Sequence, residues 1–280
     1  IAMSRRSKIL FVLLVLVLFL AMAVVLVLGL PTFGGTMEGE RLARMQHSPQ
    51  YVDGRFENTP PYHAELALLQ NIRDYSGGQQ REPGFAIPVL PLEPASLLQP
   101  PLAGMRATWL GHSSVLIEID GYKVLTDPVW GPRASPSRLA GPKRFQPAPV
   151  RLRQLPPVDL VVISHDHYDH LDYPTLRALA QHSTVPIVTS LGVGAHLEAW
   201  GLPAERITEL DWWESHTLPG GGLAITAAPS QHFSGRGLKD RNATLWSSLV
   251  IQTAKHKVFF SGDTGLTTEY ATIRERLGPF

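Results

Sequence analysis

The chain has 280 residues, a formal net charge of +1 and no cysteine. That length accommodates one large domain or two modest ones, and the charge balance offers no electrostatic case for a nucleic-acid partner. Without cysteine there are no disulfides, thiolate ligands, thiol nucleophile or lipidated cysteine; any metal must be held by His, Asp or Glu, a donor set that suits zinc, iron or manganese.

Arg5, Arg6 and Lys8 precede ILFVLLVLVLFLAMAVVLVLGL, 22 residues (9–30) without a charge. At about 1.5 Å rise per residue such a run crosses a hydrocarbon core of about 30 Å. The apolar region of a cleaved signal peptide is shorter, roughly 7–15 residues, and GLPTFGG is a poor cleavage site. An uncleaved single-pass anchor over residues 1–30 is expected, with a removed signal as the alternative. Basic residues lie before the span, and Glu38 and Glu40 follow it. The positive-inside rule then places everything after it on the non-cytoplasmic (periplasmic or extracellular) side.

Residues 31–103 are rich in Pro and Gly, with breaks at TPPY, EPG, IPVLPLEP and LQPPL. They are expected to form an irregular arm lying on or leading to a domain, with AELALLQNIRDYS (64–76) as one short amphipathic helix. Regular pattern begins at Met105. MRATWLGHSSVLIEI and YKVLTDPV are two β-type runs joined by Asp120-Gly121, a strong hairpin signal. VDLVVIS, VPIVTS, RITEL, LAITAAPS, SSLVIQT and KVFFSGD are further strand candidates. YPTLRALAQ (173–181) reads as a helix with Asp172 as N-cap and Pro174 in the first turn. LGVGAHLEAWG reads as a helix closed by Gly201. Apolar strands alternating with helical crossovers predict an α/β sandwich over 104–280. The chain starts at Ile1 with Met3 nearby and stops at RERLGPF, so a piece cut at both ends is expected.

SHDHYDHLD (164–172) follows the apolar run Leu160-Val161-Val162-Ile163. The end of a buried strand is an expensive place for unpaired polar groups. In an extended segment alternate side chains share a face, so His165, His167 and Asp169 point one way, and His170 reaches the same cavity from the turn. The spacing offers two imidazoles to one metal and a carboxylate plus an imidazole to a neighbour. Two metals about 3.5–4 Å apart can share a bridging water and clamp a phosphoryl or carbonyl oxygen. Asp166 and Tyr168 take the alternate positions, behind the ligands or in the pocket. His232 in APSQHFSGR and Asp263 in VFFSGDTG each end a strand-like run; with the cluster in place they become the third ligand of the first metal and the bridging carboxylate.

These motifs, His-x-His-x-Asp-His, a later His and a Gly-Asp after a strand, resemble the metallo-β-lactamase superfamily. WLGHSSVLIEIDGYKVLTDPVWGPRASPS, GPKRFQPAPVRLRQLPPVDLVVISHDHYDHLDYPTL, ELDWWES, PSQHF and FFSGDTG narrow the resemblance to N-acylphosphatidylethanolamine-hydrolysing phospholipase D and its bacterial relatives, over roughly 104–280. The resemblance implies an αββα sandwich whose C-terminal part is missing. It implies two divalent ions, zinc with iron or manganese as alternatives: His165, His167 and His232 on the first, Asp169 and His170 on the second, Asp263 bridging. Asp169, His170 and Asp263 would be the catalytic groups. It also implies that Asp127 in LTDP supports the ligands from behind, as does Asp166. The family's last His on the second metal has no counterpart up to Phe280, and His256, in a turn, is a poor substitute.

Other residues are weighed on chemistry alone. Tyr168, Lys143, Arg144 and Trp213 are candidates for substrate contact, Trp212 being the core partner of its pair. His112 reads as a hydrogen-bonded structural residue with no metal geometry. His47, His63, His182, His196 and His216 have no supporting context. The expected reaction is hydrolysis of a phosphodiester in a phospholipid by a metal-activated water, with a membrane as partner and an unknown oligomeric state. Rivals are a hydrolase of the same fold acting on a phosphorylated lactone, cyclic nucleotide or β-lactam, a non-catalytic membrane-tethered metal binder, and a structural envelope protein.

Overall fold

A computed structural model describes residues 5–59 and 82–280, without the side chains of 7–10, 20, 21 and 23–28. The helix predicted over 64–76, and His63, lie outside the described residues. Helix α1 (Arg5–Leu28) carries most of the apolar run, and its described side chains, Arg5, Arg6, 11–19 and Met22, are exposed. Among the described residues no helix is long and apolar enough to cross a membrane.

Two sheets form the domain. The larger holds β3 (Met105–Gly111), β4 (Ser114–Ile119), β5 (Tyr122–Thr126), β6 (Leu160–Ile163), β7 (Ile187–Ser190) and β8 (Ile207–Leu210), in that order. β3, β4 and β5 are antiparallel, and β5 to β8 run parallel. The smaller is antiparallel, in the order β12 (Lys257–Phe260), β11 (Ser248–Gln252), β10 (Ala224–Ala228), β9 (Ser215–Thr217).

The pleat of β6 explains its unbroken apolar run. Leu160 and Val162 meet Ile225, Leu249 and Ile251 of the second sheet. Val161 and Ile163 meet Leu176 of α3 (Tyr173–His182) and Leu197 of α4 (Gly194–Ala199) on the other face. A strand covered on both sides has no polar face to alternate with. Beyond the second sheet, α5 (Glu269–Leu277) sets Tyr270 against Phe259 of β12, ring centroids 6.4 Å apart. The layers thus run helix, sheet, sheet, helix.

Three local readings need correction. MRATWLGHSSVLIEI is two strands, because Gly111 (φ 112°) and His112 (φ 48°) turn the chain between β3 and β4. The Asp120-Gly121 hairpin forms as expected, both residues at positive φ. Asp172 stands at the N-cap of α3 but makes no side-chain bond to the helix backbone; its carboxylate accepts the Gly131 N–H (2.9 Å) and the Thr175 hydroxyl. The second helix is shorter than predicted because it begins at Gly194; Gly201 closes it as expected, at φ 92° with its N–H donated to Glu198 O (2.9 Å).

The arm contains more order than its composition suggests. α2 (Gly39–Gln46) is followed by a small hairpin, β1 (Tyr51–Val52) and β2 (Arg55–Phe56), around Asp53-Gly54. Met45 and Phe56 are buried with Trp212, Leu245 and Trp246.

Candidate metal centre

β6 delivers the cluster. Its last residues are locked between two cores, and the chain leaves it through Ser164 into a loop that ends at α3. His165, Asp166 and His170 are buried. Asp127, fully buried after β5, holds this loop: Ser164 donates its N–H to Oδ1 (2.7 Å) and its hydroxyl to Oδ2 (2.6 Å). The same Oδ2 lies 2.6 Å from His170 Nδ1. Asp127 therefore orients His170 so that Nε2 faces inward, the support that ligating histidines usually receive.

Three imidazoles converge. His165 Nε2 lies 2.9 Å from His167 Nδ1, and His232 Nε2 lies 3.2 and 3.1 Å from those two atoms. Ligands of one tetrahedral zinc, each about 2.0–2.1 Å from it, stand about 3.3 Å apart, so the spacing fits a small cation. Beside them, His170 Nε2 lies 3.3 Å from Asp263 Oδ1 and 3.9 Å from Asp169 Oδ2. The second oxygen of Asp263 is 3.9 Å from His232 Nε2. Asp263 thus faces both groups, where a bridging carboxylate would stand. His170 Nε2 is buried and makes no hydrogen bond, an orphaned polar atom aimed into the site. This donor set fits a pair of divalent cations.

Asp263 reaches the site because Gly262 (φ 54°) ends the strand tightly. A Cβ on Gly262 would come within 2.7 Å of Ser164 Cβ.

The electrostatics suit cations. Burial, reinforced by the neighbouring imidazoles, holds His165 well below its usual range. Burial also lowers His167, and burial together with His167 lowers His232 to about 4. These three stay neutral, as metal ligation requires. Burial pulls His170 down, but Asp127 and then Asp263 overcome it and carry the group up to about 10. Asp263 is lowered by its contact with His170. Asp169 is lowered because His112 and His170 outweigh its burial.

His112 has contacts that the sequence reading missed. Its Nε2 lies 2.9 Å from Asp169 Oδ2, and a ligand atom from each of His112, Asp169 and His170 falls within 4.8 Å of the others. The signal was Gly111-His112 itself, a turn dipeptide that sends the side chain off the strand. His196 also has a place. It is buried, accepts the Gly35 N–H at Nδ1 (3.1 Å) and sets Nε2 3.5 Å from Asp166 Oδ2. Asp166 touches none of the ligand nitrogens through its carboxylate. It accepts the Gly235 N–H (2.8 Å) and the Thr244 hydroxyl (2.9 Å), bracing the loop from behind. His256 pairs with Asp120 (2.9 Å), away from the cluster.

A cleft of about 480 Å³ opens beside the cluster, lined by His112, His167 and Asp169 together with Trp109, Phe145 and Ile87. Lys143, Arg144 and Tyr168 also border it. Arg144 is drawn in, donating Nε–H to Gly131 O (3.4 Å), and burial lowers its pKa. Gly111 leaves the room: a Cβ there would meet Arg144 Nη1 at 2.6 Å. The Tyr168 hydroxyl donates to Arg236 O (2.7 Å), so only its ring faces the cleft. Trp213 does not border the cleft. It sits at φ 73° with the Arg276 guanidinium 4.4 Å over its ring, while Trp212 is buried as expected.

Residues 122–280 match the family model described as "Beta-lactamase superfamily domain". The chain belongs to the beta-lactamase superfamily. Within this superfamily, it is 42% identical over 260 residues to an uncharacterized protein of Mycobacterium tuberculosis, covering 90% of this chain and 68% of that one. It is 41% identical over 185 residues to N-acyl-phosphatidylethanolamine-hydrolyzing phospholipase D 1 of Caenorhabditis elegans, covering 64% of this chain and 52% of that one. It is 31% identical over 175 residues to the mitochondrial N-acyl-phosphatidylethanolamine-hydrolyzing phospholipase D of Saccharomyces cerevisiae, covering 61% and 37%. These similarities set the chain in the branch of the superfamily that holds those phospholipases. The chain spans about half, or less, of the length of either one.

Proposed function

We propose that this beta-lactamase superfamily member is a phosphodiesterase of phospholipase D type acting on N-acylphosphatidylethanolamine-like lipids. The observation that carries the reading is the meeting of His165, His167, His232, Asp169, His170 and Asp263 at the edge of an apolar cleft with basic side chains. Similarity to two phospholipases D supports the substrate class.

His165, His167 and His232 would hold one divalent cation, and Asp169 and His170 a second, with Asp263 between them. Zinc suits the imidazole-rich set, with iron or manganese as the other candidates. The chemistry that such a pair supplies when bound is activation of a water and of a phosphoryl oxygen. The chain's own groups do the rest. Asp127 fixes the ring of His170, and His112 holds one oxygen of Asp169. Arg144 and Lys143 at the cleft wall place positive charge where a phosphate would enter, and Trp109, Phe145 and Ile87 offer apolar surface to an acyl chain. In the proposed reaction the oxygen of water ends on phosphorus. The phosphorus–oxygen bond to the N-acylethanolamine breaks, leaving phosphatidic acid.

A lipid substrate fits a chain held at a bilayer. The apolar segment 9–30 would anchor the protein, with the domain on the non-cytoplasmic side by the distribution of Arg5, Arg6 and Lys8.

The test is an assay of the full chain, loaded with zinc, on N-acylphosphatidylethanolamine in mixed micelles and on soluble bis(p-nitrophenyl) phosphate. Release of phosphatidic acid, abolished in His167→Ala, is expected. Cleavage of the soluble ester alone would redirect the reading to another phosphodiester. Inactivity on both by a chain that has bound two equivalents of metal would overturn it.

A further inference from the structure

We infer that Asn58 is a positioning residue of the metal centre, so that the arm contributes to a site whose ligands all lie more than a hundred residues downstream; this rests on the reading of His165, His167 and His232 as ligands of one cation. His232 stands on no strand. It lies in the long loop between β10 and β11, where no sheet ladder fixes its backbone. Both of its backbone polar groups are taken by a single side chain. The His232 N–H donates to Asn58 Oδ1 (3.0 Å), and Asn58 Nδ2–H donates to the His232 carbonyl (2.8 Å).

The orientation of that amide is over-determined. Oδ1 also accepts from Trp246 Nε1 (3.2 Å), whose indole donates as well to Ser230 O (2.7 Å). A flipped amide would set its NH2 against two N–H donors and its oxygen against a carbonyl. Asn58 is in turn seated by Phe56, two residues away. Phe56 is fully buried beside Trp246, and its backbone pairs with Asn242: the Phe56 N–H donates to Asn242 O (2.8 Å), and Asn242 Nδ2–H to Phe56 O (3.0 Å). Residues 56–58 thus run beside the His232 loop and take the part that a neighbouring strand would play. The imidazole that this arrangement aims lies 3.1–3.2 Å from two other ligand nitrogens, and a site of that kind tolerates displacements of only about 0.5 Å. Groups that orient ligands in this way are typically worth about 10–100-fold in metal affinity.

The experiment uses the full chain, stripped of metal and titrated with Zn2+ against a chromophoric chelator. Asn58→Ala removes both bonds. Asn58→Asp keeps the acceptor for the His232 N–H but turns a carboxylate oxygen toward the His232 carbonyl. Both variants are expected to bind the tighter zinc equivalent about 10–100-fold more weakly. The visible spectrum of the Co2+-loaded variants should shift toward that of His232→Ala, a change that a loss of general stability would not produce. Wild-type affinity and cobalt spectrum in Asn58→Ala would overturn the inference alone. A wild-type chain that takes up no zinc would overturn the ligand reading and the inference with it. Failure of both variants to fold would replace a positioning role with a structural one.

Discussion

At the scale of single residues, the two histidine populations of the site pull stability in opposite directions with pH. The folded pKa of His232, about 4, lies below its ordinary 6.5, so the unfolded chain binds this proton first. Its contribution to the metal-free protein is present above 6.5 and is lost as pH falls toward 4. His170 is the reverse. Raised to about 10 from 6.5, it contributes fully below 6.5 and loses that contribution as pH rises through 10. Urea midpoints of metal-free protein should therefore decline on both sides of neutrality. His232→Ala should flatten the acid arm, and Asp127→Asn, which removes the charge 2.6 Å from His170, the alkaline one. His112 belongs to the same scale. Its side chain is about half exposed, so His112→Ala should leave the fold intact while Asp169 loses its 2.9 Å partner. The expected result is about 10-fold weaker binding of the second zinc equivalent, read by titration, with an unchanged unfolding midpoint.

At the scale of elements, what could be foreseen followed from pattern, and what escaped followed from contacts distant in sequence. The run 160–163 and the cluster after it were legible because a doubly covered strand has to be apolar throughout and its end has to justify every polar group. His232 and Asp263 were legible as metal-competent groups a few residues past strand-like runs, and the fold brings both to the cluster. The β3–β4 turn escaped because Gly111-His112 sits inside an otherwise continuous β pattern. The hairpin at 51–56 carries the same Asp-Gly signal that was recognised at 120–121, but Pro-rich surroundings concealed it. The bonds of His196 and Asn58 to residues more than 150 positions away leave no local trace. The end of β12 offers a test of how elements place ligands. Gly262→Ala forces a side chain onto a backbone at φ 54° and into Ser164. Ser164 adjoins His165 and is bonded to Asp127, so the substitution should do two things. Stability should fall by about 1–3 kcal/mol for the strained residue, and zinc affinity should fall with it. An alanine variant with wild-type affinity would show that Asp263 reaches the site by a looser route.

At the scale of the whole molecule, the segment after α1 is fastened to the rear of the metal-site loop. Trp200 Nε1 donates to Pro31 O (2.7 Å), and buried Arg236 donates to Thr32 O (3.0 and 2.7 Å) and to Leu171 O (3.0 Å). Only Gly29 and Leu30 lie between the last residue of α1 and Pro31, and a linker that short spans at most about 10 Å. If the segment 9–30 anchors the chain, the domain cannot swing free; it is held close against the bilayer, where a lipid substrate need not leave the membrane to reach the cleft. The full chain should then remain in the pellet when membranes are washed with alkaline carbonate and enter solution only with detergent. Lengthening the junction after Leu30 with a flexible Gly/Ser insert should leave hydrolysis of bis(p-nitrophenyl) phosphate unchanged while slowing turnover of lipid in vesicles. Equal activity on vesicles for the short and the extended junction would show that the fastening of Pro31 and Thr32 serves the fold alone.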